Sequence, residues 1–264
     1  MSGVEQAVNH YNEKRDALGF FDLNVWWDFT SDKQFIKPVD FTQFKSDLVA
    51  LYIKRAVITS HEALRYEPVI GNEALSGHIK DSPDLYGCMI LVPEIENIEA
   101  YIDKKLAERF VSARLFPKIM RHSMKKWLIG DILDHLQRRR VPLILWHSEV
   151  SWDLYESLAV EYPDLPIIID GCETKLLYHN RNYVPLIRKY PNIYLETHNL
   201  ALAGEIAYLA AEVGHKLIYG SYYPYNTPNA SMLNLTTGEI SDEIGQLIVS
   251  GNLDRLICEI RCDN

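Results

Sequence analysis

The sequence has no Cys-x-x-Cys pair, no excess of basic residues and no long apolar run. It also lacks a glycine-rich phosphate turn and any low-complexity stretch. Each absence removes a class of function. Four cysteines (Cys88, Cys172, Cys258, Cys262) do not make a disulfide framework in 264 residues. Cys258 and Cys262 stand four apart, but no histidine follows them to complete a zinc site. All four read as reduced thiols, so a cytoplasmic protein is expected. Basic residues number 27 against 36 acidic ones, a net charge of −9, which argues against a nucleic-acid partner. No apolar run approaches the ~18 residues of a membrane span, so no membrane partner is expected. Residues 1–19 are polar with scattered charges and read as an extension, not a signal peptide.

What is present is an ordinary globular composition, 47% apolar and 24% charged. Short apolar runs alternate with longer amphipathic ones. Strands are expected at 20–26, 55–59, 87–92, 112–116, 142–146, 166–170, 192–197 and 216–220. Helices are expected at 41–52, 72–80, 95–110, 126–139, 151–161, 174–189 and 200–213, with a last one at 241–250. Ser151 and Ser241 precede acidic first turns and read as N-caps. Pro142, Pro166 and Pro191 stand where a helix has ended and a strand begins. Strand-then-helix units repeated to eight strands favour a single (β/α)8 TIM barrel, an α/β fold spanning residues 1–264. The competing doubly wound sheet wants a glycine-rich turn after its first strand, and none is there.

A barrel of this kind carries its site at the C-terminal ends of the strands. The polar residues there are Asn24 and Trp26, His61 and Glu62, Glu94, Lys118 and His122. Next come His147 and Glu149, Asp170 and Glu173, Glu196 and His198, and Tyr222 and Tyr223. His147 with Asp170 makes a reasonable proton-transfer pair. Arg114 and Lys118 alternate with Phe116, so at least one is expected to look inward and hold an anion. The plainer alternative pairs Arg114 with a buried acid such as Asp22. His122 lies in a loop able to cover the mouth. Trp26, Trp27, Trp146, Tyr222, Tyr223 and Tyr225 gather near strand ends, which suits a planar small-molecule ligand. Core packing is the plainer account of Trp27 and Trp146.

Several segments carry a family resemblance. They are Ala113-Arg114-Leu115-Phe116-Pro117-Lys118, Pro142-Leu143-Ile144-Leu145-Trp146-His147 and Tyr162-Pro163-Asp164-Leu165-Pro166. To these are added Tyr190-Pro191-Asn192-Ile193-Tyr194-Leu195-Glu196-Thr197, Tyr219-Gly220-Ser221-Tyr222-Tyr223-Pro224 and Gly251-Asn252-Leu253-Asp254-Arg255-Leu256. In this order and spacing the chain resembles the amidohydrolase superfamily, in the branch of aminocarboxymuconate-semialdehyde-decarboxylase-like enzymes. The resemblance implies a barrel that hydrolyses or decarboxylates a small carboxylated molecule. It also implies metal ligands at strand ends, and there the chain departs. The His-x-His of strand one is Asn24-x-Trp26, the strand-six histidine is replaced near Asp170, and the strand-eight aspartate is Tyr222. Only the strand-five histidine, His147, is kept. Trp has no lone pair for a metal and Asn is a weak ligand. The expectation is therefore an enzyme without a resident metal, in which His147 and Asp170 move protons. Asn24, Trp26, Arg114, Lys118, His122, His198 and Tyr222 are expected to contact the substrate. One alternative is a divalent ion such as zinc in a relocated site of His147, Asp170 and His198. Another is a catalytically inactive barrel that binds a ligand or serves as a scaffold. Association into a homo-oligomer is a further expectation.

Overall fold

A computed structural model describes residues 3–28, 39–171, 180–200 and 204–261. Cys172, Glu173, His179 and Cys262, and the first part of the helix expected at 174–189, lie outside the described residues. Eight parallel strands follow one another in chain order around a single sheet. They are β1 (Phe21–Trp27), β2 (Arg55–Ser60), β3 (Leu85–Ile90), β4 (Phe110–Arg114), β5 (Leu143–Trp146), β6 (Ile167–Asp170), β7 (Ile193–Glu196) and β8 (Leu217–Ile218). The sheet closes on itself. Leu23 N donates to the Tyr219 carbonyl at 3.0 Å, and Trp26 N donates to the Tyr223 carbonyl at 2.8 Å.

The helices among the described residues run from α1 (Gly3–Leu18) and α2 (Phe41–Ala50) through α3 (His61–Arg65), α4 (Pro68–Ile79), α5 (Ile98–Ala107) and α6 (Lys126–Arg139). They continue with α7 (Trp152–Glu161), α8 (Asn180–Lys189), α9 (Glu205–Val213), α10 (Pro228–Thr237), α11 (Asp242–Gln246) and α12 (Asn252–Cys258). The caps have the expected chemistry. Ser151 Oγ accepts from Leu154 N at 3.2 Å and Ser241 Oγ from Ile244 N at 3.3 Å. Each satisfies an amide that the first helical turn leaves without an intrahelical partner.

The core divides into three. The largest part lies between strands and helices, where Leu48, Ile102, Leu133, Ile187 and Leu209 meet Ile58, Leu143, Leu145 and Ile167. A second part fills the lower barrel with Phe21, Leu23, Val57, Ile144, Ile168 and Ile218, plugged by Leu253 and Leu256 of α12. The third is aromatic and lies at the mouth: Trp26, Phe116, Trp146 and Tyr222, with Ile90 and Leu64. Strand β1 links the lower barrel to the mouth through a register shift between Asp22 and Val25. Strict alternation would put Leu23 and Asn24 on opposite faces. The bulge turns both inward, so Leu23 packs in the lower barrel while Asn24 enters the mouth.

Candidate functional site

The mouth is built from charged groups fully removed from solvent. Asp170 ends β6, Arg114 ends β4 and Glu196 ends β7, all at 0% exposure. Among the described residues, Asp170 Oδ2 accepts from Arg114 Nη1 at 2.6 Å, Asn24 Nδ2 at 3.1 Å and Trp146 Nε1 at 3.1 Å. Its other oxygen lies 3.8 Å from His198 Nδ1. Glu196 Oε1 accepts the His198 amide at 2.8 Å, and Glu196 Oε2 contacts His198 Nδ1 directly. Burial works against the Arg114 charge, but Asp170 beside it holds the guanidinium above its ordinary pKa. Arg114 thus pairs with Asp170, not with Asp22. Asp22, on β1, accepts the amides of Asn24 and of Ser221 just past β8. Burial pushes the Asp22 carboxyl up to about 7.

Two local features shape this arrangement. Gly220 passes so close to Glu196 that a Cβ there would lie 2.1 Å from Oε1. Only glycine leaves room for the carboxylate to turn toward His198. Two residues on, Tyr222 adopts φ 59, a left-handed conformation uncommon outside glycine. Its ring stacks on the His198 imidazole at 4.9 Å and on Tyr225 at 4.8 Å. Above lies a small cavity of ≈ 110 Å³, walled by Trp26, Trp146, Tyr222 and Tyr225 and edged by His61 and Arg65.

Of the residues expected from sequence, Asn24, Trp26, Arg114, Asp170, His198 and Tyr222 are brought together here. The other three are placed elsewhere. His147 Nδ1 lies 3.4 Å from the main-chain carbonyl of Asp170, not its carboxylate, and the ring stacks on Trp152. Lys118 is exposed and its ammonium contacts the Ser148 carbonyl. Glu149 accepts the amides of Lys118 and Ile119 at 2.8 and 3.1 Å, so this loop is braced internally. His122 Nδ1 is 3.3 Å from the Ser123 carbonyl. Sequence reasoning gave no role to Glu196 as a donor or to Arg65. The available signal for Arg65 was its place four residues after His61, one helical turn along the same face.

Three donor atoms from Asp170, Glu196 and His198 lie within 4.8 Å of one another, and all three residues are buried. Two carboxylate oxygens and an imidazole nitrogen suit manganese or zinc, and three protein ligands leave positions open for substrate. The donor chemistry fits a divalent ion.

No protein-family model and no curated protein matches the chain. Solved structures do match. An uncharacterized TIM-barrel protein from Bordetella bronchiseptica superposes with a TM-score of 0.71 at 14% identity, over 92% of this chain and 99% of that one. A dihydroxybenzoic acid decarboxylase from Polaromonas sp. JS666, with bound manganese and the inhibitor 2-nitroresorcinol, gives 0.67 at 14%, over 91% and 97%. A 5-carboxyvanillate decarboxylase from Novosphingobium aromaticivorans, complexed with manganese and 4-hydroxy-3-methoxy-5-nitrobenzoic acid, gives 0.70 at 12%, over 92% and 97%. At these identities the likeness shows the TIM-barrel fold. One of the similar structures is itself described as an amidohydrolase II, at 13% identity.

The expectation of a mouth without a resident metal is overturned by two findings. Donors converge in Asp170, Glu196 and His198, and similar structures hold manganese. The physical reason is a change of strand. Ligands missing from β1 are matched by a carboxylate and an imidazole at the end of β7, and Glu196 takes the place that the relocated site gave to His147. No helix among the described residues is long and apolar enough to cross a membrane.

Proposed function

We propose that this chain is a divalent-metal-dependent lyase or hydrolase that decarboxylates or hydrolyses a small carboxylated ring compound. One observation carries the reading: a buried Asp170–Glu196–His198 group lies at the strand ends, beside a cavity walled by aromatic rings. Asp170, Glu196 and His198 would hold the ion, which when bound supplies Lewis-acid polarisation of a substrate oxygen. The chain's own groups do the rest. Trp26, Trp146 and Tyr222 present ring faces and edges that orient a planar substrate and exclude water. Arg65, exposed at the cavity edge, receives the substrate carboxylate; its planar fork matches two oxygens. Arg114 is already engaged by Asp170 and Asn24, so it positions rather than binds. His61, on the cavity wall, is the imidazole placed to exchange a proton with substrate, and His147, at the end of β5 outside that wall, is the second candidate. Likeness to a dihydroxybenzoic acid decarboxylase and to a 5-carboxyvanillate decarboxylase complexed with a substituted benzoic acid supports the substrate class.

The test uses protein purified without added metal, then loaded with Mn²⁺, against aromatic carboxylates and carboxylated lactones. Turnover is followed by ultraviolet absorbance. Metal-dependent turnover is expected. In Arg65→Met, KM should rise about 10- to 100-fold with kcat little changed, the loss of one charge-assisted contact of about 1.5–3 kcal/mol. The pH profiles of His61→Ala and His147→Ala identify the proton carrier. Thermal stabilisation by ligands without turnover would instead select a non-catalytic binding barrel.

A further inference from the structure

Asn24 has an unusual set of neighbours for a buried amide. Its Nδ2 donates to Asp170 Oδ2 at 3.1 Å and to Glu196 Oε2 at 3.3 Å. Its Oδ1 accepts from Trp26 Nε1 at 3.0 Å and from Arg114 Nη2 at 3.0 Å. The side chain is 0% exposed. An amide offers two donated protons and two lone pairs, so all four capacities are used.

The orientation of that amide follows from its partners. The indole N–H and the guanidinium can only donate, and ionised carboxylates can only accept. A flipped amide would set its oxygen against two carboxylate oxygens and its N–H groups against two donors. Four contacts would turn repulsive among side chains fully removed from solvent. Trp26 and Arg114 therefore fix which end of Asn24 faces the acids.

We infer that Asn24, locked by Trp26 and Arg114, is a positioning residue that bridges Asp170 and Glu196 and sets the cation affinity of the Asp170–Glu196–His198 site. The inference rests on the metal reading proposed above. Two like charges brought together repel, and a shared donor offsets that repulsion without filling a ligand position. On this view the Asn24-x-Trp26 pair is a working unit. Trp26 contributes one N–H in addition to a ring on the cavity wall. Outer hydrogen bonds of this kind orient metal ligands, and losing one weakens affinity about 10- to 100-fold.

Four proteins test this: wild type, Trp26→Phe, Asn24→Leu and the double variant. Two readouts are used, Mn²⁺ affinity by calorimetry and hydrogen exchange of the Trp26 indole N–H by NMR in the metal-free protein. The indole resonance is assigned by its loss in Trp26→Phe. Each single variant is expected to raise the Mn²⁺ Kd at least about 10-fold. In the Asn24→Leu background, Trp26→Phe should add nothing, because Trp26 acts through the amide. The indole N–H should exchange slowly in wild type and faster in Asn24→Leu. Additive losses in the double variant, or an unchanged Kd in Trp26→Phe, overturn the inference. So does indole exchange indifferent to Asn24. Wild type that binds no Mn²⁺ sinks the metal reading and the affinity role with it. Wild type that binds Mn²⁺ while the single variants bind equally well sinks the inference and leaves the metal reading standing.

Discussion

Removing the Arg114 charge gives the sharpest test of how the mouth is held together. Arg114 and Asp170 are both fully buried, with Nη1 2.6 Å from Oδ2. Arg114→Met keeps most of the side-chain volume but deletes the bonds to Asp170 and to Asn24. Asp170 Oδ2 then loses its guanidinium partner and keeps the neutral donors of Asn24 and Trp146. An uncompensated buried charge costs about 3–5 kcal/mol. At about 2–4 °C per kcal/mol for a chain of this size, Tm should fall by roughly 10 °C. Asp170→Asn strands the guanidinium instead and should cost a similar amount. The double variant strands neither charge, so its loss should be smaller than the two single losses together by at least about 2 kcal/mol. Urea unfolding of metal-free protein, followed by tryptophan fluorescence, measures all three. A single-variant cost below about 1 kcal/mol would refute the reasoning, as would additive losses.

Two further outcomes follow from single positions. Gly220→Ala places a methyl where Glu196 Oε1 now lies, so the carboxylate must swing away; Mn²⁺ affinity by calorimetry should drop at least about 10-fold, and unchanged affinity would contradict the close approach. Asp22 is held protonated up to about 7 by burial, against an unfolded value near ~3.9, so the folded state keeps a proton that the unfolded state releases. Its stabilising effect is complete below about pH 4 and is lost as pH rises to about 7, at about 1.4 kcal/mol per unit in that window. Asp22→Asn cannot titrate, and its amide oxygen can still accept the Asn24 and Ser221 amides. Its stability relative to wild type should therefore rise between pH 4 and 8; parallel profiles in urea titrations would exclude the raised carboxyl.

Periodicity carried the fold because each barrel strand is a short apolar run between amphipathic segments. All eight strands were legible, and 126–139 matched α6 at both ends. Boundaries slipped where side chains leave the sheet for other work. The expected strand at 112–116 ends at Arg114, because Phe116 turns into the aromatic mouth. Helix α3 has only five residues, too few to show a period. Helix α10 carries no charge in its first or last turn, and its terminal signals are only Pro228 at the start and Gly238 past the end. In the site, residue types at strand ends pointed to Asp170, His198 and Asn24 without a structure. Three facts lay beyond one sequence: the β1 bulge that turns Asn24 inward, the partner of Arg114, and the orientation of Glu196. Each depends on distances across the barrel between residues far apart in the chain.

Metal content tests the central claim most directly. Elemental analysis of protein purified without added metal, followed by Mn²⁺ calorimetry on wild type and His198→Ala, should give about one ion per chain in wild type and at least a 10-fold weaker affinity in the variant. Wild type that neither carries nor takes up an ion, or a His198→Ala variant that binds as tightly, would contradict it.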